Sequence, residues 1–362
     1  MNILAAVTHR RGEEFKIERV MLGEPKANEV LVRIVASGIC QSDINVQHQK
    51  YLFPLPAVLG HEGAGIVEKV GKNVYDLQPG DHVVLGYSYC GECEACREGK
   101  PFQCRRHYEL NFGGKLADGT SRFRQHGRDL AMFFGQSSFA EMTVVNEKNV
   151  VKIDPTFDLR LAAALACGIP AGFGTVLHQL QPTEDSRIAV FGTGAVGLGA
   201  IMAAKLLKCK VIVAIDIVDH RLALAKKLGA THFIRAHLAD PVEILKRTFD
   251  GIDYAIDSTG QASVGRQAFR SMAVNGKLAY VGEFPQLSVA DIEEIRKNHL
   301  TVAEIVEGNN ILKTFIPYLI DLYRQGEFPF DKLVRYYPWE EINQAVADSV
   351  SGFTIKPVLI MP

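Results

Sequence analysis

The sequence predicts an α/β protein with two unlike halves: an irregular β-barrel-like domain, then a doubly wound parallel sheet. Three observations predict it. Short β-rich segments broken by Gly and Pro fill roughly the first 150 residues. From about residue 158 strands alternate with helices, as a parallel sheet with crossovers requires. Within the first half, the run CGECEACREGKPFQC places Cys90, Cys93, Cys96 and Cys104 close enough to meet on one ion. At 362 residues the chain is long enough for two domains, each burying its own core.

Taken in order, VLVRIVASG (30–38), AGIVEKVG (64–71) and DHVVLG (81–86) read as strands, with a turn at Gln78-Pro79-Gly80. LRLAAALACG (159–168) is helical in composition. RIAVFGTGAVGLGAIMAAKLL (187–207) reads as strand, glycine turn and helix, and VIVAID (211–216) as the next strand. RLALAKKLGA (221–230) is an amphipathic helix ending at Gly229, and IDYAIDSTG and GKLAYVGEF continue the alternation. TIKPVLIM (354–361) reads as a strand returning to the first domain. The expected boundaries are 1–168 for the first domain, 169–305 for the second and 306–362 for the returning segment.

Hydrophobic residues make up 47% and charged residues 22%, with a net charge of −1, which does not suggest a nucleic-acid surface. No apolar run reaches spanning length, so no membrane partner is expected. The apolar stretch in MNILAAVTHRRGEEF is too brief for a secretory leader. Seven cysteines, four of them clustered, suit a reducing compartment, and the cytoplasm is expected.

Four thiolates close the shell of a zinc ion and leave no open position, so Cys90, Cys93, Cys96 and Cys104 predict a structural zinc. A disulfide framework suits short secreted chains instead. A nucleic-acid-binding ribbon needs a basic surface.

Gly192, Gly194 and Gly197 form GTGAVG directly after the strand Ile188–Phe191. The first glycine makes the turn, the second admits a pyrophosphate, and the third lets the helix pack on the strand. The backbone at Ala195 and Val196 opens that helix, where free N–H groups favour an anion. Asp216 ends the next strand, where an acid accepts from ribose hydroxyls and repels a 2′-phosphate. That predicts a Rossmann domain binding NAD, with Arg221 near the adenosine ribose.

Cys40 in GICQSD, His61 in LGHEGAG and Cys167 in LACGIP are each, alone, ordinary buried residues. Together with the dinucleotide domain they form a second ligand set, two thiolates and one imidazole, that leaves zinc an open position.

Over its whole length the chain resembles the zinc-dependent medium-chain alcohol dehydrogenases. GHEGAGIVEKVG, the four-cysteine loop, DGTSRF, GQSSFAE, GTGAVG and FIPYLIDLYRQGEFPFDKLV carry the resemblance. Within that family it is most similar to aryl-alcohol (benzyl alcohol) dehydrogenases, through FFGQSSFA, VEGNN with KTFIP, and QGEFPFDKLV with EINQA. The resemblance implies a GroES-like catalytic domain, two zinc ions per chain and hydride transfer from a zinc-bound alkoxide to NAD. The partner is a small-molecule alcohol or aldehyde, and the assembly a homodimer or homotetramer built through the cofactor domains. Cys40, His61 and Cys167 match the catalytic ligands. Asp43 matches the carboxylate that orients the histidine, Glu62 the acid behind the metal, and Ser42 the hydroxyl that meets the alcohol oxygen; a helix-capping serine is its plain alternative. Gln41, Val281 and Lys356 fall at cofactor positions. Phe133 and Phe134 match the apolar tunnel, and Gly86 stands where many relatives have a bulky aromatic, which would leave room for a ring. Asn45 replaces the family's relay histidine, and Gln41 the basic residue of other members, so His48 is the candidate outer base. Ala171 replaces a threonine near the nicotinamide, and Cys209 has no role.

Related dehydrogenases for aliphatic or terpenoid alcohols or S-hydroxymethylglutathione are the rival enzyme reading. A non-catalytic reductase-fold protein with structural zinc only is the rival of another class.

Overall fold

The computed structural model describes residues 1–282 and 286–362, so the last two residues of GKLAYVGEF lie outside the described residues. It divides into two units. The first comprises Met1–Cys167, Ile311–Leu322 and Asp331–Pro362, and the second Gly168–Asn310 and Tyr323–Phe330.

The first unit holds strands β1 (Asn2–Thr8), β2 (Lys16–Leu22), β3 (Glu29–Gly38), β4 (Ala57–Val58), β5 (Glu62–Val70), β6 (His82–Leu85), β7 (Phe123–Gln125), β8 (Arg128–Asp129), β9 (Ala131–Met132), β10 (Met142–Asn146) and β11 (Val150–Lys152). β3 is the long central strand. Val30, Val32, Ile34 and Ala36 are buried along it, and it pairs antiparallel with both β5 and β10. One core gathers Ile3, Val7, Val20, Leu22, Leu31, Phe123 and Met132 between the sheets. Most strands are short because turns interrupt them, which curls the sheets toward a barrel.

The second unit is a parallel sheet of β12 (Arg187–Phe191), β13 (Val211–Asp216), β14 (His232–Arg235), β15 (Ile252–Asp257), β16 (Met272–Tyr280) and β17 (Thr301–Glu304). Their order is β14-β13-β12-β15-β16-β17, which reverses direction at β12 and is the doubly wound order of a Rossmann domain. β12 and β13 are almost wholly buried, as strands covered on both faces should be. The chain then returns to the first unit as β18 (Val334–Pro338) and β19 (Lys356–Ile360). β19 pairs antiparallel with β3, Val358 opposite Gly38.

Candidate metal and dinucleotide sites

Helix Gln41–Gln47 begins at Cys40, and that start positions the first cluster. Asp43, in its first turn, accepts from Cys40 N–H at 3.0 Å through Oδ2. Its Oδ1 accepts from Gly60 N–H and from His61 Nδ1, each at 3.0 Å. A carboxylate only accepts, so it fixes the proton on Nδ1 and leaves Nε2 with its lone pair. That Nε2 is buried with no hydrogen-bond partner among the described residues, as a metal-ligating donor atom would be. Cys40, His61, Glu62 and Cys167 each offer one ligand atom, all within 4.8 Å of one another.

The electrostatics suit a cation. The hydrogen bond with Cys167 leads the causes that hold the Cys40 thiol well below its usual range, against burial. Burial opposes charge on His61, but Asp43 and Cys40 together outweigh it and hold the imidazole well above its usual value. Burial pushes Glu62 up to about 7 although Lys356 pulls it down. Lys356 Nζ donates to both Glu62 oxygens, at 2.6 and 2.7 Å, in a fully buried ion pair.

Aromatic rings surround His61. Phe134 stacks on it at 4.6 Å and 29°, while Phe133 meets it edge-on at 5.3 Å. Phe112 packs against both phenylalanines, at 5.6 and 5.3 Å, and Phe53 against Phe133 at 5.3 Å. Phe134 has φ +52°, a left-handed conformation that costs a bulky residue about 1–3 kcal/mol.

In the four-cysteine loop, Cys90 and Cys96 sulfurs lie 3.9 Å apart, and those of Cys93 and Cys96 3.5 Å. Tetrahedral zinc with Zn–S bonds of about 2.3 Å needs sulfurs roughly 3.8 Å apart, whereas a disulfide needs about 2.05 Å. Backbone N–H groups of Cys90, Glu92 and Cys93 point at sulfur, which favours thiolates.

In the second unit, Gly192 makes the turn after β12 at φ +84°, and a Cβ on Gly197 would fall 1.9 Å from Gly192 O. Helix Ala195–Leu206 starts at Gly194 with no side-chain cap, so its first N–H groups are open to an anion. Asp216 Oδ2 accepts from Thr193 N–H at 2.6 Å and its hydroxyl at 2.7 Å, and Oδ1 from Val218 N–H at 2.9 Å. About four lone-pair positions belong to a carboxylate, so Asp216 braces the glycine turn with three of them. Among the described residues Arg221 Nε is buried without a hydrogen-bond partner.

Residues 26–155 match the alcohol dehydrogenase GroES-like domain, and residues 195–323 the zinc-binding dehydrogenase domain. The chain is 38% identical to geraniol dehydrogenase of Castellaniella defragrans, over 98% of this chain and 97% of that one. To S-(hydroxymethyl)glutathione dehydrogenase of Aspergillus oryzae it is 39% identical, over 99% and 95% of the two chains. Its fold is similar to the crystal structure of benzyl alcohol dehydrogenase from Acinetobacter calcoaceticus, with TM-score 0.95, 42% identity and full coverage of both. The chain belongs to the zinc-dependent alcohol dehydrogenase family. Zinc and a nicotinamide dinucleotide are the cofactors of such dehydrogenases, and both thiolate clusters have donor sets that fit zinc.

Within that alcohol dehydrogenase frame, several expected residues are placed differently. Gly86 does not leave a wall open: Leu312 fills the space, its Cδ1 2.4 Å from where a Cβ would stand. Lys356, expected at the cofactor, directs its ammonium at Glu62 and, at 3.4 Å, at Ile39 O, which accounts for its three protons. Ser42 is not the helix cap, since Cys40 and Asp43 fill that role, and its half-buried hydroxyl is left for another use. Gln41 donates to Asn45 Oδ1 at 3.0 Å on the exposed face of the same helix, and His48 is exposed at its end. Val281 follows β16, its N–H bonded to Asp257 O at 2.9 Å. Burial pushes the Cys209 thiol up to about 11, so it is inert packing. Phe112 and Phe53 escaped the sequence reading, because nothing local ties them to His61.

Among the described residues, no single helix is long and apolar enough to cross a membrane.

Proposed function

We propose that this chain is an NAD-dependent zinc alcohol dehydrogenase that interconverts primary aromatic or allylic alcohols and their aldehydes. The observation that carries the reading is the pair of rings packed on His61, Phe133 and Phe134, backed by Phe53 and Phe112. A flat ring or an alkene is matched by such walls through stacked and edge contacts. The 42% identity to benzyl alcohol dehydrogenase, above the 38–39% to the geraniol and S-(hydroxymethyl)glutathione dehydrogenases, is in line with an aromatic alcohol.

Cys40, His61 and Cys167 hold the catalytic zinc, and Cys90, Cys93, Cys96 and Cys104 the structural one. Zinc and the nicotinamide supply the chemistry, a Lewis acid for the alcohol oxygen and an acceptor for the hydride. Asp43 orients His61 and raises its basicity. Glu62, ion-paired with Lys356, is the buried carboxylate behind the ligands. Ser42 takes the alcohol proton at its hydroxyl oxygen, and Phe133 and Phe134 keep water away. Beyond Ser42 the proton leaves through the cofactor ribose and water, since Gln41 and Asn45 cannot titrate. Asp216 repels a 2′-phosphate, so NAD exceeds NADP by more than about tenfold in kcat/KM; equal efficiencies would defeat that assignment. β17 ends the order of the parallel sheet, which supports a homodimer or homotetramer joined through the cofactor domains; light scattering on the purified protein tests it.

Comparing kcat/KM for benzyl alcohol, geraniol, ethanol and S-(hydroxymethyl)glutathione tests the substrate class. The two unsaturated alcohols should lead, and a lead for the glutathione adduct would favour the rival reading.

A further inference from the structure

The left-handed Phe134 is held by groups on both sides of the four-cysteine loop. Ser88, two residues before Cys90, donates its hydroxyl to Phe134 O at 3.1 Å and accepts from Asn149 Nδ2 at 2.5 Å. Asn111 lies in helix His107–Phe112, which follows Cys104, and its side chain is fully buried. Its Oδ1 accepts from Ser88 N–H at 2.8 Å, and Nδ2 donates to Ser88 O at 3.0 Å and to His107 O at 2.7 Å. The Asn111 carbonyl in turn accepts from Phe134 N–H at 3.0 Å. Gly135 is part of the same clasp, since a Cβ there would lie 2.4 Å from Ser88 Oγ. Every polar atom of the Asn111 amide is satisfied, so it forms a rigid two-point link rather than a tolerated polar core residue.

We propose that Asn111 and Ser88 are positioning residues for alcohol selectivity. The Ser88 hydroxyl holds Phe134 in its left-handed conformation, the Asn111 amide holds Ser88 in place, and together they keep the ring stacked on His61, where it forms a wall of the alcohol site. This rests on the reading that Phe134 faces the bound alcohol. The clamp reaches the ligand set through the Phe134 ring on His61 and bonds to none of its donor atoms, so its effect is read as a change in which alcohol fits. Released, Phe134 turns to an ordinary backbone conformation, its ring leaves His61, and the wall loses its fit to a flat substrate.

The test uses the zinc-loaded enzyme with NAD, benzyl alcohol and 1-hexanol. Asn111→Ala should lower the benzyl-to-hexanol ratio of kcat/KM by about fivefold or more, through KM with kcat nearly unchanged. Ser88→Ala, which keeps the backbone pair with Asn111, should do the same to a smaller extent and guards against a misfolded Asn111 variant. Phe134→Ala should lower the ratio too, and adding Asn111→Ala to it should change the ratio no further, because both act through one ring. Unchanged ratios in both single variants, or an undiminished Asn111→Ala effect in the Phe134→Ala background, would overturn the clamp. If the wild type prefers hexanol, the proposed substrate class fails, while the clamp is still judged by the shift from whatever ratio the wild type has.

Discussion

The four-cysteine loop and the Cys40 cluster gather similar ligands by opposite means. The loop draws its sulfurs from one short run, lies half exposed, and turns backbone N–H groups toward them. The Cys40 cluster draws on three distant parts of the chain, with His61 and Glu62 buried and the two cysteines half-buried. It needs Asp43 behind His61 and Lys356 beside Glu62 to hold its charges. A closed shell of four thiolates stabilises itself, so a loop suffices. A site with an open position must be held open by a scaffold, because nothing in its own shell prevents collapse. The first kind contributes folding energy and the second serves chemistry.

The largest expected effects break that comparison if they fail. Cys40→Ala or Cys167→Ala should lower alcohol oxidation by about 10³-fold or more, the several kcal/mol that a Lewis acid supplies. Thermal stability and NADH binding should hardly move. Cys93→Ala or Cys104→Ala should do the reverse, lowering Tm by roughly 5–10 °C, at ~2–4 °C per kcal/mol. A Cys93→Ala protein as stable as wild type would remove the structural role of the loop.

Asp43→Asn sharpens the contrast. An amide cannot accept from Cys40, Gly60 and His61 together without turning its NH₂ toward one of them. Zinc affinity at the open cluster or activity should therefore fall about 10–100-fold, with the zinc of the loop retained. Zinc analysis and kcat on the same sample check both.

The smallest effect concerns the proton's exit from the open cluster, which the closed loop has no need of. If Ser42 passes the proton to the ribose and water, His48→Gln should leave the pH–rate profile unchanged. Asn45→His adds an acceptor and should raise kcat at neutral pH by a few-fold, well under the roughly 10²–10⁴ of a well-placed base. A profile altered by His48→Gln would instead make it the outer base.

The two regions also differ in how far the sequence reveals them. The loop is legible because fifteen residues contain all its geometry. The parallel sheet is legible because β12, the glycine turn and its helix are consecutive. Cys40, His61 and Cys167 emerge only through motif resemblance, since their meeting depends on how β3, β5 and the chain before Gly168 fold together. The alcohol pocket is the least legible part. Gly86 suggests a vacancy, yet Leu312, far along the chain, fills it. Phe112 reaches the His61 rings through a helix placed by the four-cysteine loop. Likewise Asp216 reads as a ribose ligand, but most of its lone pairs brace Thr193 and Val218. Side-chain competition of that kind has no periodicity or spacing to announce it.

One cluster serves chemistry and the other serves the fold. Zinc per chain, activity and Tm followed together during dialysis against dipicolinate test it most directly, since a chelator can attack an open coordination position more readily than a closed one. The account predicts about two zinc per chain at the outset. Activity should vanish with the first equivalent while Tm stays, and Tm should fall only with the second. Turnover persisting after one zinc is gone, or unfolding that accompanies the first loss, would contradict it.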